Sequence, residues 1–192
     1  MCYNVYISAL CFGFTLLRKW RYYMFDVGEY VVFGSDGVCK VESVGVLDME
    51  GVSRERLYYT LSPIGKSGNG KIFAPVDGKK VTIRKVVSRA EADKLIDEIC
   101  CIQKLDITDE KKREERYKQV IQNCDLREVV QLIKEIHARK EMRDAIGKKL
   151  TAMDERYFGI AENCLYSELS LPLKMEKSEI REYITSKCDK AK

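Results

Sequence analysis

Two hydrophobic patterns divide the chain. Between Gly28 and Arg84, apolar residues come in short runs and alternations separated by turn residues, which is typical of short β-strands. From Ser88 onward, apolar residues recur three and four positions apart, which is the spacing of an amphipathic helix. The pattern therefore predicts an α+β protein by domains, with a β-rich part first and an all-α part after it.

The β-rich part begins with two strands around a tight turn. Tyr30 to Phe33 is β-branched and aromatic, as strands prefer. Residues 34–37 have turn chemistry, because Asp36-Gly37 supplies the positive φ that a hairpin needs. An extended pattern resumes over residues 38–44, and further strands are predicted over residues 56–62 and 71–74. Short strands at such close spacing predict a small barrel or a strongly bent sheet.

The predicted helices begin at residues that can accept hydrogen bonds from the free N–H groups of a first helical turn. The N-caps predicted for the first four helices are Ser88, Thr108, Asp125 and Thr151. The fourth helix is predicted to end at Pro172, and a short fifth one is predicted over residues 178–186. Short connections between them predict a compact helical domain.

Composition narrows the function classes. The chain has 192 residues, which allows one or two domains. Its net charge of +4 permits contact with nucleic acid without demanding it. Eight cysteines without a C-x-x-C pair, and a single histidine, disfavour a zinc site and are typical of reduced thiols in a cytoplasmic protein. No metal or cofactor is predicted.

Catalytic chemistry is not visible. Gly65-Lys66-Ser67 resembles the end of a phosphate-binding loop, but that motif needs a glycine at position 60, which is threonine. His137 is the only histidine, and no Ser or Cys nucleophile accompanies it in a motif. We therefore predict that the protein is not an enzyme and has no small-molecule substrate.

Residues 1–23 differ from the rest. An apolar run over residues 5–17 precedes positive charge, which is the reverse of a secretory signal. It is also shorter than the about 20 residues that a spanning helix needs. The expectation is an extension upstream of a natural start at Met24. The alternative is a protein-interaction module tethered to a membrane by these residues.

Basic residues cluster in the helical part, partly as i,i+4 pairs with interleaved glutamates. Lys148 and Lys149 precede the predicted N-terminus of a helix at Thr151, a combination that suits backbone phosphates. The candidate DNA-binding residues are Arg113, Arg116, Lys118, Lys140, Lys148, Lys149 and Arg156.

Several motifs resemble the CarD family of bacterial transcription regulators. They are Met-Phe-x-x-Gly-Glu-Tyr-Val-Val-Phe from Met24, Leu-Tyr-Tyr-Thr-Leu from Leu57, Ile-Phe-Ala-Pro-Val from Ile72, Lys-Val-x-Ile-Arg-Lys-Val from Lys80 and Asp-Glu-Arg-Tyr-Phe from Asp154. The resemblance covers residues 24–188. The barrel domain of the transcription-repair coupling factor is similar too, but helicase motifs are absent from this chain.

The resemblance implies a division of labour. Residues 24–76 would form a Tudor-like barrel that binds the β subunit of RNA polymerase. Residues 77–188 would contact promoter DNA without reading its sequence and so stabilise the open complex. A monomer in the cytoplasm is expected. The polymerase-binding residues implied by the resemblance are Val46, Leu47, Arg54, Arg56 and Phe73.

The chain departs from the family in two places. Better-known members carry a tryptophan in the helical domain that wedges at the minor groove, whereas the only tryptophan here is Trp20. Those members also grip polymerase with arginines in the barrel, and the matching positions here are Leu47 and Phe73. Arg54 and Arg56 lie near these positions in the sequence and are the expected substitutes.

Overall fold

A computed structural model of the protein describes residues 25–49, 56–64, 70–78 and 81–190. The predictions for residues 1–23, for the Gly-Lys-Ser sequence at position 65 and for Arg54 lie outside the described residues. In the described part of the chain, no helix is long and apolar enough to cross a membrane.

The described residues of the β-rich part form one antiparallel sheet. Its strands are β1 (Tyr30–Phe33), β2 (Gly37–Val46), β3 (Leu57–Pro63), β4 (Ile72–Pro75) and β5 (Ile83–Lys85). Their order in the sheet is β4-β3-β2-β1-β5. The predicted strands are present, and the sheet also takes in β5, which lies beyond the domain boundary expected at residue 76.

The sheet is open, so the expected closed barrel is not confirmed. Closure requires the two edge strands to pair, and within the described ranges β4 and β5 form the edges without pairing to each other. These strands have only four and three residues, which leaves little backbone for closing a ring. The register of β2 on β3 shifts between Val41 and Ser43, as it does at a β-bulge, a feature that usually bends a strand.

The turn between β1 and β2 contains glycine where positive φ is required. A short 3-10 turn, Gly34–Asp36, joins the strands, with φ of 46° at Gly34 and 71° at Gly37. A Cβ added to Gly34 would lie 2.7 Å from Cγ1 of Val81. The glycine therefore permits both the turn and the close approach of the segment before β5.

Each face of the sheet is buried against a different set of residues. One face forms its own small core from Val31, Cys39, Val41, Tyr59, Leu61 and Ala74. Because side chains alternate along a strand, Val32 and Val38 point to the opposite face, where they are 4% and 1% exposed. On this side, β2 packs against the helices.

In the part of the chain that the structure describes, five helices follow the sheet. They are α1 (Arg89–Glu98), α2 (Arg113–Asn123), α3 (Leu126–Asp144), α4 (Ala152–Leu173) and α5 (Lys177–Lys190). Short 3-10 turns, Ile99–Cys101 and Glu110–Lys112, follow α1 and precede α2. The central helix is α4, which packs against the other four helices and against β2.

Three of the four predicted N-caps are confirmed. The Ser88 side chain caps α1 in a complete capping box with Glu91, Asp125 caps α3, and Thr151 caps α4. The cap predicted at Thr108 is wrong. The next residue, Asp109, accepts a hydrogen bond from the N–H of Lys111 and caps a 3-10 turn, so α2 begins only at position 113.

The C-terminal helix boundaries differ from the prediction. Pro172 lies inside α4, which ends one residue later, at Leu173. Proline interrupts a helix mainly by removing one N–H and crowding the preceding turn, so the helix stops close to it, and Lys174 adopts a left-handed conformation with φ of 54°. Helix α5 extends from Lys177 to Lys190 and is longer than predicted.

Candidate functional site

The first candidate site lies at the β4 edge of the sheet. We call it the sheet-edge surface, and its described members are Val46, Leu47, Arg56, Leu57 and Phe73. Val46, Leu57 and Phe73 are 52%, 37% and 39% exposed, although all three are large and apolar. An edge strand also presents unpaired N–H and C=O groups to any partner. Among the residues that the structure describes, this surface therefore combines exposed apolar area with the edge strand of the sheet.

The members of this surface do not share one face. Val46 lies opposite Leu57 in the β2–β3 ladder, on the face that carries Tyr59. Phe73 lies opposite Thr60 in the β3–β4 ladder, and alternation places it on the other face. A partner that contacts both Val46 and Phe73 must therefore wrap around the edge.

Arg56 is fixed at the start of β3 by an ion pair. Its Nε lies 2.5 Å from Oδ1 of Asp77, which follows β4. The hydrogen bond raises the pKa of the Arg56 guanidinium and lowers the pKa of the Asp77 carboxyl group. Both side chains remain about 40% exposed, so Arg56 keeps a charged face toward solvent beside the edge strand.

The second candidate site is the basic surface of the helices. Five of the predicted DNA-binding residues are exposed, namely Lys118, Lys140, Lys148, Lys149 and Arg156. Arg116 is half-buried and donates a 2.7 Å hydrogen bond to Gln119. Arg156 pairs with Glu114 at 2.7 Å and lies over the Tyr157 ring, 4.7 Å from its centroid. Lys118, Lys140 and the two loop lysines have no comparable restraint in the described contacts.

Arg113 does not lie on this surface. Its side chain is buried, with Nη1 2.9 Å from Oε1 of Glu135 and Nη2 2.5 Å from Oε1 of Glu110. Burial by itself lowers the pKa of the guanidinium, but hydrogen bonds to Glu110, Tyr117 and Glu135 outweigh it and raise the pKa above the ordinary value. Arg113 lies one helical turn before the buried Tyr117 on α2, so its side chain is on the buried face of the helix.

A buried carboxylate stands at the centre of the same network. Asp154 is fully buried and accepts hydrogen bonds from the hydroxyl groups of Tyr117 at 3.2 Å and Thr151 at 2.7 Å. Nε of Arg139 lies 3.4 Å away. Burial raises the pKa of Tyr117 to about 12, so its hydroxyl stays a donor. The network thus locks the first turn of α4 to α2 and α3.

Residues 145–151 form the basic loop between α3 and α4. Arg143 Nε donates to the carbonyl oxygen of Lys149 at 2.7 Å, and the N–H of Lys148 donates to the carbonyl oxygen of Arg143 at 2.9 Å. Gly147 supplies a φ of 70° at the turn. At its other end the loop joins the capped Thr151. The two lysine side chains thus extend from a backbone that is hydrogen-bonded at both ends.

Two exposed apolar residues were missed by the sequence reasoning, Met142 near the end of α3 and Ile146 inside the basic loop. Met142 and Ile146 are each 64% exposed. Apolar residues at helical spacing from core residues usually face the interior. The sequence pattern therefore did not reveal that these two side chains are exposed. They add exposed apolar area next to Lys140 and the loop lysines.

Comparison with known families identifies the type of domain that contains the sheet. Residues 25–87 match the family model of the CarD-like/TRCF RID domain. This part of the chain belongs to that domain family. The match indicates a transcription-related protein that interacts with RNA polymerase through a non-enzymatic domain. No curated protein matches the chain.

The CarD-like domain contains the five strands of the described residues, and an ion pair between Arg84 and Glu168 links it to the helices. Nη1 and Nη2 of Arg84, on β5, lie 2.5 and 2.8 Å from the two carboxylate oxygens of Glu168, on α4. Glu168 also accepts the N–H of Val87 at 3.1 Å, and Arg84 Nε donates to the carbonyl oxygen of Cys124 at 2.6 Å. Burial alone lowers the pKa of Arg84, but Glu168 more than compensates and raises it.

Proposed function

We propose that the protein is a transcription regulator that binds the β subunit of RNA polymerase and stabilises promoter open complexes through nonspecific DNA contacts. The observation that carries the proposal is the family match over residues 25–87, which covers every strand of the sheet. In this assignment the CarD-like domain holds the polymerase and the region from Ser88 onward contacts DNA. The regulator acts as a monomer in the cytoplasm, where polymerase and promoters are found.

The sheet-edge surface is the proposed polymerase contact. An extended segment of the partner can pair with β4, because edge strands recruit additional strands through their free backbone groups. Phe73 then supplies an apolar anchor on one side of the edge, and Val46 with Leu57 supplies one on the other. Exposed aromatic residues at such positions carry a large share of binding energy. Arg56, held by Asp77 and still partly exposed, offers hydrogen-bond donors to the partner beside the edge strand.

The basic loop is the proposed DNA contact. Lys148 and Lys149 precede the N-terminus of α4, where mobile positive charge and the helix dipole both favour a phosphate group. Phosphate contacts position a protein on DNA without reading sequence. Lys140 and Arg156 extend the charged area. Met142 and Ile146 offer apolar contact beside these charges, as side chains that press between base steps do.

Binding to polymerase explains how a few basic residues can be enough for the DNA contact. A protein held on polymerase meets the adjacent DNA at a high effective concentration, so individually weak contacts become occupied. Bound simultaneously to polymerase and to DNA near the melted region, the protein slows the return to the closed complex. Neither contact alone is required to be strong.

Capture of the polymerase β subunit by the full-length chain tests the proposal. We expect Phe73→Ser to weaken capture about tenfold, because about 1.4 kcal/mol of apolar contact is lost. Val27→Ser is the matched control, since Val27 is an exposed apolar residue of the same domain outside β4. Equal capture by wild type and Phe73→Ser would reject the sheet-edge surface, and no capture by wild type would reject the proposed function.

A further inference from the structure

Two thiols from distant parts of the chain meet beside the C-terminal helix. Cys100 lies in the 3-10 turn after α1, and Cys188 lies on α5, 88 positions later. Their Sγ atoms are 2.8 Å apart. Both residues are half-buried, so a small reagent can reach them.

We propose that Cys100 and Cys188 form an oxidative modification site, at which a low-molecular-weight disulfide of the glutathione class reversibly joins them in a disulfide bond. A disulfide has an S–S distance of about 2.05 Å. The two sulfur atoms therefore need to approach each other by less than about 1 Å.

Neighbouring contacts align the two thiols before they react. Lys134 Nζ donates hydrogen bonds to the carbonyl oxygens of Cys100 at 3.0 Å and Ile102 at 2.7 Å, which holds the 3-10 turn in place. Lys187, the residue before Cys188, forms an ion pair with Asp97 on α1. The turn and α5 are thus each fixed close to the reacting sulfur atoms.

The reaction balances as two thiol–disulfide exchanges. The thiolate of one cysteine attacks the small disulfide, forms a mixed disulfide and releases one glutathione thiolate. The thiolate of the second cysteine then attacks the protein sulfur of that mixed disulfide and releases the second glutathione thiolate. Each released glutathione thiolate takes up the proton that a cysteine lost. Overall, two cysteine thiols and one glutathione disulfide become one protein disulfide and two glutathione thiols.

The geometry distinguishes this pair from the other described cysteines. Cys39, Cys124 and Cys164 are buried, and burial raises the pKa of the Cys124 thiol, which disfavours the reactive thiolate. Cys101 is exposed and adjacent to Cys100, so it is the natural competitor. It also serves as the control position.

Oxidation would fix α5 on the helical region. A bond between these residues closes a loop of about 88 residues in the unfolded chain, which stabilises the folded state. For a protein of this size, we expect Tm to rise by about 5 to 10 °C. Neither polymerase nor DNA takes part in this reaction.

The full-length protein is treated with glutathione disulfide, digested with trypsin and analysed by mass spectrometry with and without dithiothreitol. We expect a reducible cross-link between the peptides of residues 95–104 and 188–190. It should persist in Cys101→Ser and be absent from Cys188→Ser. Differential scanning calorimetry of oxidised and reduced wild type measures the shift in Tm without any substitution.

Three results would overturn the proposal. The first is the absence of the cross-linked peptide pair at a large excess of glutathione disulfide. The second is loss of the cross-link in Cys101→Ser, which would assign the bond to the exposed neighbour. The third is a cross-linked wild type whose Tm equals that of the reduced protein, which would show that the bond does not fix α5.

Discussion

Arg84 and Glu168 are 84 positions apart in the chain, yet their side chains meet in a two-point ion pair at the junction of sheet and helices. Glu168 is 1% exposed, and its carboxylate also accepts the backbone N–H of Val87. One buried carboxylate therefore connects the last strand, the segment after it and the central helix.

Removing one member of this pair should destabilise the protein strongly. In Arg84→Ala, the Glu168 carboxylate stays buried without its cationic partner, and we expect the free energy of unfolding to fall by about 3 to 5 kcal/mol. Urea denaturation followed by circular dichroism measures this change. Arg127→Ala is the control, because its pair with Glu98 is largely exposed and should contribute less than about 1 kcal/mol. A similar loss of unfolding free energy in both variants would show that the Arg84–Glu168 pair contributes no more than an exposed ion pair does.

Arg113 should contribute to stability and not to DNA binding. In Arg113→Ala, the buried carboxylate of Glu135 loses its nearest cation, and we expect a loss of about 3 to 5 kcal/mol. At a temperature where the variant remains folded, its affinity for duplex DNA should equal that of wild type. Lys118→Ala, on the exposed side of the same helix, should show the reverse pattern. Weakened DNA binding by folded Arg113→Ala would return this residue to the interface.

The basic loop should act on DNA through phosphate groups. We expect Lys148→Ala/Lys149→Ala to weaken binding about equally on unrelated sequences. The slope of log affinity against log salt should fall by up to about two, near one for each lost phosphate contact. The effect should be largest in the lifetime of polymerase–promoter open complexes, measured at two salt concentrations.

Two positive charges on another helix provide the comparison for the loop. Arg89→Ala/Lys94→Ala changes the net charge equally on the exposed side of α1. It should leave the open-complex lifetime and the salt slope unchanged. Equal effects of the two double variants would mean that net charge, and not the basic loop, determines the DNA contact.

The capping box of α1 should make stability depend on pH in the acid range. Hydrogen bonds from the backbone and side chain of Ser88 lower the pKa of Glu91. The folded protein therefore binds a proton at Glu91 less readily than the unfolded chain does. The resulting stabilisation is present above the ordinary glutamate pKa of about 4.3 and is lost as the pH falls through the lower value of the folded protein.

Glu91→Gln tests this dependence, because glutamine can complete a capping box without titrating. Between pH 6 and pH 3, we expect the Tm of the variant to fall by less than that of wild type. Glu182→Gln is the control, because it removes an exposed carboxylate on α5. Its Tm should fall by as much as that of wild type. Identical acid profiles for wild type and Glu91→Gln would exclude the capping box as the source.

Features that depend on neighbouring residues were predictable from the sequence. Ser88, Asp125 and Thr151 cap helices because their own side chains reach the next N–H groups. The β1–β2 turn likewise follows from two local glycines. In each case, the signal and the structure lie within four residues of each other.

Features that depend on distant partners were not predictable in this way. A closed barrel requires β4 to pair with β5. The hydrophobic pattern within each strand does not predict which other strand it pairs with. The burial of Arg113 depends on its pair with Glu135, which lies on a different helix, 22 positions away in the chain. The exposure of Met142 depends on which helices cover α3.

The hydrogen bonds that hold both ends of the basic loop affect the kinetics of binding. Arg143 donates a hydrogen bond to the carbonyl oxygen of Lys149. At the other end of the loop, the hydroxyl group of Thr151 donates a hydrogen bond to the buried carboxylate of Asp154. A loop ordered before it meets its ligand loses little backbone entropy on association. The encounter with DNA is then limited by long-range attraction between charges, so salt should slow association more than it speeds release.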